Sequence, residues 1–227
     1  MPATVLEAMN EFFREVDEEY RRDRIANFWR RYSALVVGLL MLIVVGVGGW
    51  RYWQYAERTK AESAAAQYQD AVALASGGDG EAAQKSLETL ARSGPEGYRI
   101  LAQFRLAAER ARNSAEEGAA AFDALANNAA LSPNLQDLAR LRAAILRLDA
   151  APDQALPALE RLVTPSGVYR HSAREMLGLA ALRRGDFELA GKWFDQIAAD
   201  RETPANLRSR LEIYAGLTAG GPVQITQ

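Results

Sequence analysis

Few residues of this chain have the types and spacing that catalysis or metal binding requires. His171 is the only histidine and there is no cysteine, so a His-based metal cluster, a thiolate metal site and thiol catalysis are all excluded. Because His171 stands beside Tyr169 near the expected start of a helix, we expect a surface or helix-capping role for it. The acidic pair Glu116 and Glu117 is adjacent in sequence and points to different sides of a helix, which is unsuitable for acid–base catalysis.

Phosphate and nucleic-acid binding are also unsupported. The glycine-rich stretch 77–80 lacks the lysine and the preceding strand that a phosphate-binding loop needs. From Gln54 onward the chain carries 20 basic and 22 acidic residues, whereas nucleic-acid binding favours a basic excess. The sequence therefore predicts no catalytic residue, no metal site, no cofactor and no nucleic-acid partner, in a protein that is not an enzyme.

The strongest single feature is the uncharged stretch Tyr32–Trp50, which lies between Arg31 and Arg51. A helix of this length rises about 28 Å, close to the roughly 30 Å of a bilayer's hydrocarbon core. A helix buried inside a soluble domain is the alternative, although such helices are usually shorter. We predict a single transmembrane anchor at residues 32–53.

The charges that flank the anchor predict its orientation. Close to the span, five arginines from Arg21 to Arg31 lie on the N-terminal side and three basic residues from Arg51 to Lys60 lie on the C-terminal side. This bias favours a cytoplasmic N-terminus. Aromatic side chains at both ends are expected to lie at the membrane interface. These interface residues are Trp29, Tyr32, Trp50, Tyr52 and Trp53.

A cleaved signal peptide is the competing interpretation of this segment. It would need small residues directly after the apolar run, but bulky Trp50, Tyr52 and Trp53 follow instead. We therefore predict an uncleaved signal anchor. It divides the chain into a cytoplasmic head at residues 1–31, the anchor at 32–53, and an exported domain at 54–227.

The exported domain is predicted to be all-α. It is rich in alanine and leucine and lacks runs of strand-forming residues. Four prolines recur at intervals of 32 to 39 residues, which brackets the 34-residue tetratricopeptide period. These prolines are Pro95, Pro133, Pro165 and Pro204. We expect a solenoid of four helical hairpins with a terminal capping helix, and an irregular helical bundle is the alternative.

The last hairpin shows the repeat most clearly. Gly178 would allow a neighbouring helix to approach, Gly185 would make the turn, and Ala190 and Phe194 would occupy the small and large positions of the second helix. In the first repeat, Ala83, Leu87 and Leu90 stand at the corresponding offsets. The prediction for Ser132-Pro133 and Thr203-Pro204 is an N-cap followed by proline at the first helical position.

Two surfaces are candidates for binding a partner. Arginines on the first helices of the hairpins are predicted to line a peptide-binding groove, because a guanidinium binds carboxylates through two hydrogen bonds. Ordinary ion pairs with acidic residues of the same chain are the alternative. The candidates are Arg140, Arg147, Arg174 and Arg183. The head is the second surface, since its apolar residues from Phe12 to Phe28 have helical spacing and suit either a membrane surface or a partner helix.

The order of these features resembles a known family. A cytoplasmic head, one anchor, the aromatic box Gly49–Trp53, the alanine-rich stretch Ser63–Val72 and then tetratricopeptide hairpins are similar to the ancillary subunit of the bacterial Sec translocon. The closing Arg184–Asp186 and Thr203-Pro204 add to the resemblance.

That resemblance implies a non-enzymatic protein of the bacterial inner membrane, whose exported domain at residues 54–227 is periplasmic. Its partners would be the translocon, periplasmic chaperones and exported clients, and it would help to hand exported proteins over to folding factors. A tetratricopeptide scaffold for another envelope machine, such as cell-wall synthesis, division or cytochrome assembly, is the alternative.

Overall fold

The computed structural model describes the backbone of residues 3–220 and the side chains of residues 29–219. Within the described backbone all regular secondary structure is helical, which confirms the all-α prediction. The helices are α1 (Ala3–Ser76), α2 (Gly80–Ser93), α3 (Glu96–Asn113), α4 (Ala115–Ala126), α5 (Pro133–Arg147), α6 (Pro152–Glu160), α7 (Arg170–Arg183), α8 (Phe187–Ala199) and α9 (Ala205–Gly220). The predicted apolar face of the head, Phe12 to Phe28, lies outside the described side chains.

The chain divides into two compact units, Met1–Lys60 and Ala61–Gln227. In the first unit the apolar part of α1 is long and apolar enough to cross a membrane, and none of its most apolar window is buried against protein. Such a helix is consistent with a single-pass anchor. The boundaries 1–31, 32–53 and 54–227 and the N-in orientation stay predictions.

The second unit is built from consecutive antiparallel helices that bury small and large residues in alternation. In the first hairpin, Ala83, Leu87 and Leu90 of α2 are at most 2% exposed, as their offsets predicted. Leu87 and Leu90 pack with Ala71 of α1 and Ala102 of α3. Because a single hairpin has too few apolar residues for a core, each one depends on its neighbours for burial.

The last hairpin brings α7 and α8 together at a glycine. A Cβ added at Gly178 would lie 2.5 Å from the ring of Phe194, which is closer than two carbon atoms approach. Phe194 is 5% exposed and its ring stacks on Tyr214 of α9 at a centroid distance of 4.7 Å. Gly178 and Phe194 therefore occupy the close-approach and large positions predicted from the repeat.

The turn of this hairpin also follows the prediction. Gly185 has a φ of 71°, a conformation that glycine adopts at little cost. The side chain of Asp186 then caps α8 by accepting a hydrogen bond from the backbone N–H of Leu189 at 3.0 Å.

Of the two predicted Ser/Thr-Pro caps, only the proline placement at Pro133 is as expected. Pro133 is the first residue of α5, but the side chain of Ser132 makes no capping hydrogen bond. Thr203 is buried, and its hydroxyl donates to the carbonyl of Ile197 at 2.6 Å. The prediction that Thr203 caps the next helix was wrong, because α9 begins at Ala205 and its first backbone hydrogen bonds run to the carbonyl of Pro204, one residue after Thr203.

Candidate partner-binding groove

An open groove of about 530 Å³ lies on the second unit, between the first helices of the second and third hairpins. One wall comes from α3 and the other from α5, with Tyr68 of α1 and Phe122 of α4 completing the lining. Phe104 and Phe122 are in contact, with ring centroids 6.1 Å apart. Leu101 and Ile145 stay 49% and 37% exposed, so large apolar side chains remain open to solvent at this groove.

The two walls repeat the same arrangement. The α3 wall is lined by Leu101, Arg105 and Ala108, which stand at positions i, i+4 and i+7. The α5 wall repeats these offsets with a leucine, an arginine and an isoleucine from residues 138–145. These offsets place side chains on one face of a helix. The lining therefore carries two arginines and no acidic residue.

Arg142 has no acidic partner among the described side chains. It is exposed, and no carboxylate in residues 29–219 lies within ion-pair distance of it. On its own helix, the residues three and four positions away are Leu138, Ala139, Ile145 and Leu146. An uncompensated positive charge thus stands among apolar groove residues.

Arg105 is held in place by a buried carboxylate. Its guanidinium lies 2.7 Å from Glu109, which is 4% exposed and also accepts from Arg112 at 3.2 Å. Arg112 in turn donates to the carbonyl of Ala75, at the end of α1, at 3.2 Å. Two guanidiniums share one carboxylate, so this cluster keeps a net positive charge, and the buried Nε of Arg105 has no hydrogen-bond partner.

The four arginines predicted to form the groove lie elsewhere, and each is paired with an acidic residue of the chain. None of them lines the groove between α3 and α5. Arg140 lies 2.5 Å from Asp137, Arg174 lies 3.2 Å from Asp200, and Arg183 pairs with Asp149. Their role in partner binding stays a prediction.

Arg147, the remaining one of the four, connects α5 to α4. It binds both carboxylate oxygens of Glu116, at 2.7 and 3.0 Å, and also pairs with Asp123. The hydrogen bonds to Glu116 and then Asp123 raise the pKa of Arg147 above its usual range, and Arg147 lowers the pKa of Glu116. With its side chain only 13% exposed, Arg147 joins neighbouring helices of the solenoid.

A second charged cluster ties α7 to the connection between α8 and α9. Arg170 is buried and lies 2.9 Å from Asp200 and 2.5 Å from Glu202. The pKa of Asp200 is held far below its usual range, chiefly by Arg170 and then by the backbone N–H of Glu202. The cluster therefore favours the ionised carboxylate.

His171 lies at the edge of this cluster and is 7% exposed. The prediction of a surface or capping position was wrong, because Thr203 and the end of α8 cover the imidazole. Its Nδ1 is 3.3 Å from the hydroxyl of Thr203, which already donates to Ile197, so Nδ1 carries the proton and donates. Nε2 is buried, makes no hydrogen bond and lies 3.8 Å from a carboxylate oxygen of Asp200. Burial, followed by the charge of Arg170, lowers the pKa of His171.

The predicted interface aromatics are all on α1 and exposed. Trp29, Tyr32, Trp50, Tyr52 and Trp53 are between 39% and 75% exposed. The rings of Trp50 and Trp53 lie 5.5 Å apart. Their placement in the headgroup region of a membrane stays a prediction.

The sequence was compared with known families. The family model of the tetratricopeptide repeat-like domain matches residues 26–213, which is most of the chain. This chain belongs to the tetratricopeptide repeat-like domain family. Domains of this family are generally non-enzymatic scaffolds for protein–protein interaction. No match was found among curated proteins or among solved structures.

The groove of this tetratricopeptide-like domain was not predicted from the sequence. Four other arginines were predicted to line a groove because they lie on the first helices of the hairpins, and Arg142 was not among them. One signal was available, because Arg142 is the arginine of α5 whose neighbours at three and four positions include leucine and isoleucine. An arginine set in an apolar stripe indicates a surface where charge and apolar contacts act together.

Proposed function

We propose that this chain is a non-enzymatic, membrane-anchored scaffold that assists the Sec translocon and hands exported proteins over to periplasmic chaperones. The observation that carries this proposal is an unburied apolar helix followed, in the same chain, by a tetratricopeptide-like domain with an open apolar groove. An anchor keeps a scaffold beside a membrane machine, and an open groove provides a site for a partner segment.

Support for the translocon as the machine comes from the resemblance of Gly49–Trp53 and Ser63–Val72 to the ancillary translocon subunit. In this proposal the head is cytoplasmic and the domain from residue 54 is periplasmic, at the bacterial inner membrane. The groove binds its clients weakly, because a helper must release them.

Partner recovery from native membranes tests the function. The full chain, tagged at its C-terminus, is crosslinked in membranes and purified, and the bound proteins are identified by mass spectrometry. We expect components of the translocon together with periplasmic chaperones. Recovery of only division, cell-wall or cytochrome-assembly proteins would contradict the translocon assignment and favour a scaffold for another envelope machine.

Reporter fusions test the orientation separately. A reporter that is active only after export, fused after Gln227, is expected to be active. A reporter that is active only in the cytoplasm serves as the matched fusion and is expected to be silent. The reverse pair of results would refute the proposed N-in topology without bearing on the groove.

A further inference from the structure

We infer that the groove between α3 and α5 binds an amphipathic helical segment of a partner protein, one that presents apolar side chains flanked by Glu or Asp. This inference rests on the proposed function, since it assumes that the domain binds partner proteins. It names the chemistry of the partner and the residues that select it.

The apolar part of the inference comes from the walls. Leu101 on α3 and Ile145 on α5 are the more exposed apolar residues of the lining. Each wall presents side chains at i, i+4 and i+7, which form a ridge along its helix. Two such ridges on neighbouring helices leave a channel that a third helix fills with its own apolar side chains.

The acidic part comes from the charges. Each wall places an arginine at the i+4 position, Arg105 on α3 and Arg142 on α5. Glu109 neutralises only part of the positive charge on the α3 side, because Arg105 and Arg112 both bind its single carboxylate. Arg142 has no carboxylate partner among the described side chains. A ligand that supplies carboxylates beside its apolar face completes these pairs, and a basic segment would be repelled.

The two arginines have different tasks. Arg105 is fixed by Glu109 and already uses part of its hydrogen-bonding capacity within the chain. Arg142 is unpaired and exposed, so its guanidinium is free to bind a carboxylate bidentately. We therefore assign Arg142 as the residue that selects an acidic partner.

A matched pair of peptides tests the assignment. The first is a rhodamine-labelled helical peptide with Leu at i, i+3, i+4 and i+7 and Glu beside this stripe, and the second has Gln in place of each Glu. Binding of both to the full chain in lipid nanodiscs is followed by fluorescence anisotropy. We expect the Glu peptide to bind about three- to fivefold more tightly, which is typical of exposed ion pairs. The difference should shrink as salt is added.

Two variants separate the charge from the apolar surface. Arg142→Gln is expected to abolish the preference for the Glu peptide, whereas Arg184→Gln, at an exposed arginine on the α7–α8 turn, should leave it intact. Leu101→Ser should lower the binding affinity for both peptides by a similar factor. Because Arg142 and Leu101 are exposed, we expect both variants to stay folded, and a thermal melt checks this.

Several results would overturn the inference. Equal binding of the two peptides would remove the role of charge, and a preference that survives Arg142→Gln would place the selecting residue elsewhere. Binding of oleate at the groove, with neither peptide bound, would identify a lipid site instead. Because the test uses defined peptides, it can succeed even where membrane crosslinking finds no translocon component.

Discussion

The last hairpin of the tetratricopeptide-like domain and the groove between α3 and α5 use arginine in different ways. In the last hairpin, Arg170 and Arg174 both reach Asp200, and Arg210 of α9 binds the buried Glu175 at 2.8 Å. In the groove between α3 and α5, Arg142 lies beside exposed apolar residues, and no carboxylate among the described side chains pairs with it. The first arrangement satisfies charge within the fold, and the second leaves it available to a ligand.

Pairing and burial, rather than position on a first helix, therefore separate the arginines that stabilise this fold from those that are available for recognition. A buried guanidinium that loses its carboxylate is left without compensation, which destabilises the protein. An exposed and unpaired guanidinium has no such effect when it is removed. Stability and binding measurements should consequently respond to different substitutions.

The largest expected effect is in the core of the last hairpin. Phe194→Ala removes the ring that fills the space at Gly178 and stacks on Tyr214, and it should lower the free energy of unfolding by about 3–5 kcal/mol. The neighbouring Trp193 is only partly buried, so Trp193→Ala should cost clearly less. Urea denaturation followed by circular dichroism measures both, and a reversed order would refute the assigned helix register.

The next largest effect on stability is expected at an ion-paired arginine that is mostly covered, compared with an ion-paired arginine that is exposed. Arg147→Glu places a third negative charge beside Glu116 and Asp123 and should lower the free energy of unfolding by about 1–3 kcal/mol. Arg183→Glu is the matched control, because its side chain is 59% exposed, and it should cost less than about 1 kcal/mol. Equal losses in the free energy of unfolding of the two variants would show that burial does not separate stabilising arginines from those available for recognition.

A smaller effect concerns the pH dependence of the last hairpin. Since burial lowers the pKa of His171 in the folded state, the unfolded chain binds a proton more readily once the pH falls below about 6.5. Arg170 and Arg174 oppose protonation, whereas Asp200 and Glu202 favour it. The stability contributed by neutral His171 is therefore complete above that pH and is lost as the pH falls.

Melting temperatures test this sign directly. From about pH 7.5 to about pH 5.5 the melting temperature of the wild type should fall by more than that of His171→Asn, which retains an N–H donor near Thr203 but does not titrate. Identical slopes for the two proteins would show that folding does not lower the pKa of His171.

The smallest expected effect is at the groove itself. Arg142→Gln should change the free energy of unfolding by no more than about 0.5 kcal/mol, because the side chain is exposed and pairs with no described carboxylate. The same denaturation experiment measures it. A loss as large as that of Arg147→Glu would mean that Arg142 stabilises the fold and is unavailable to a ligand.

Local sequence chemistry predicted the helical hairpins well. Pro133, Gly178, Gly185 and Phe194 act through backbone geometry and side-chain volume, which are properties of the residue and its near neighbours. The position of the last repeat could therefore be assigned before the structure was known. His171 and Thr203 were assigned wrongly because they meet across the fold, 32 residues apart.

The same limit applies to the arginines. Arg147 has alanines three and four positions away, and Ala143 packs into the core with α4, so α4 lies close enough for Glu116 and Asp123 to reach it. Arg142, five positions earlier, has larger apolar neighbours and pairs with no carboxylate in residues 29–219. Whether a carboxylate 24 or 31 residues away pairs with a given arginine depends on helix packing, which the sequence pattern does not specify.

The most direct test of the account is site-specific photocrosslinking in native membranes from the groove and from a remote surface. A photoreactive amino acid replaces Leu101 on the groove wall or, as the control, the exposed Lys85 on α2. We predict that position 101 crosslinks to an acidic amphipathic segment of a partner protein. Arg142→Gln should lower the yield of this adduct, and position 85 should give no such adduct. Adducts from position 85 but not from position 101 would contradict the claim that this groove is where the scaffold binds its partner.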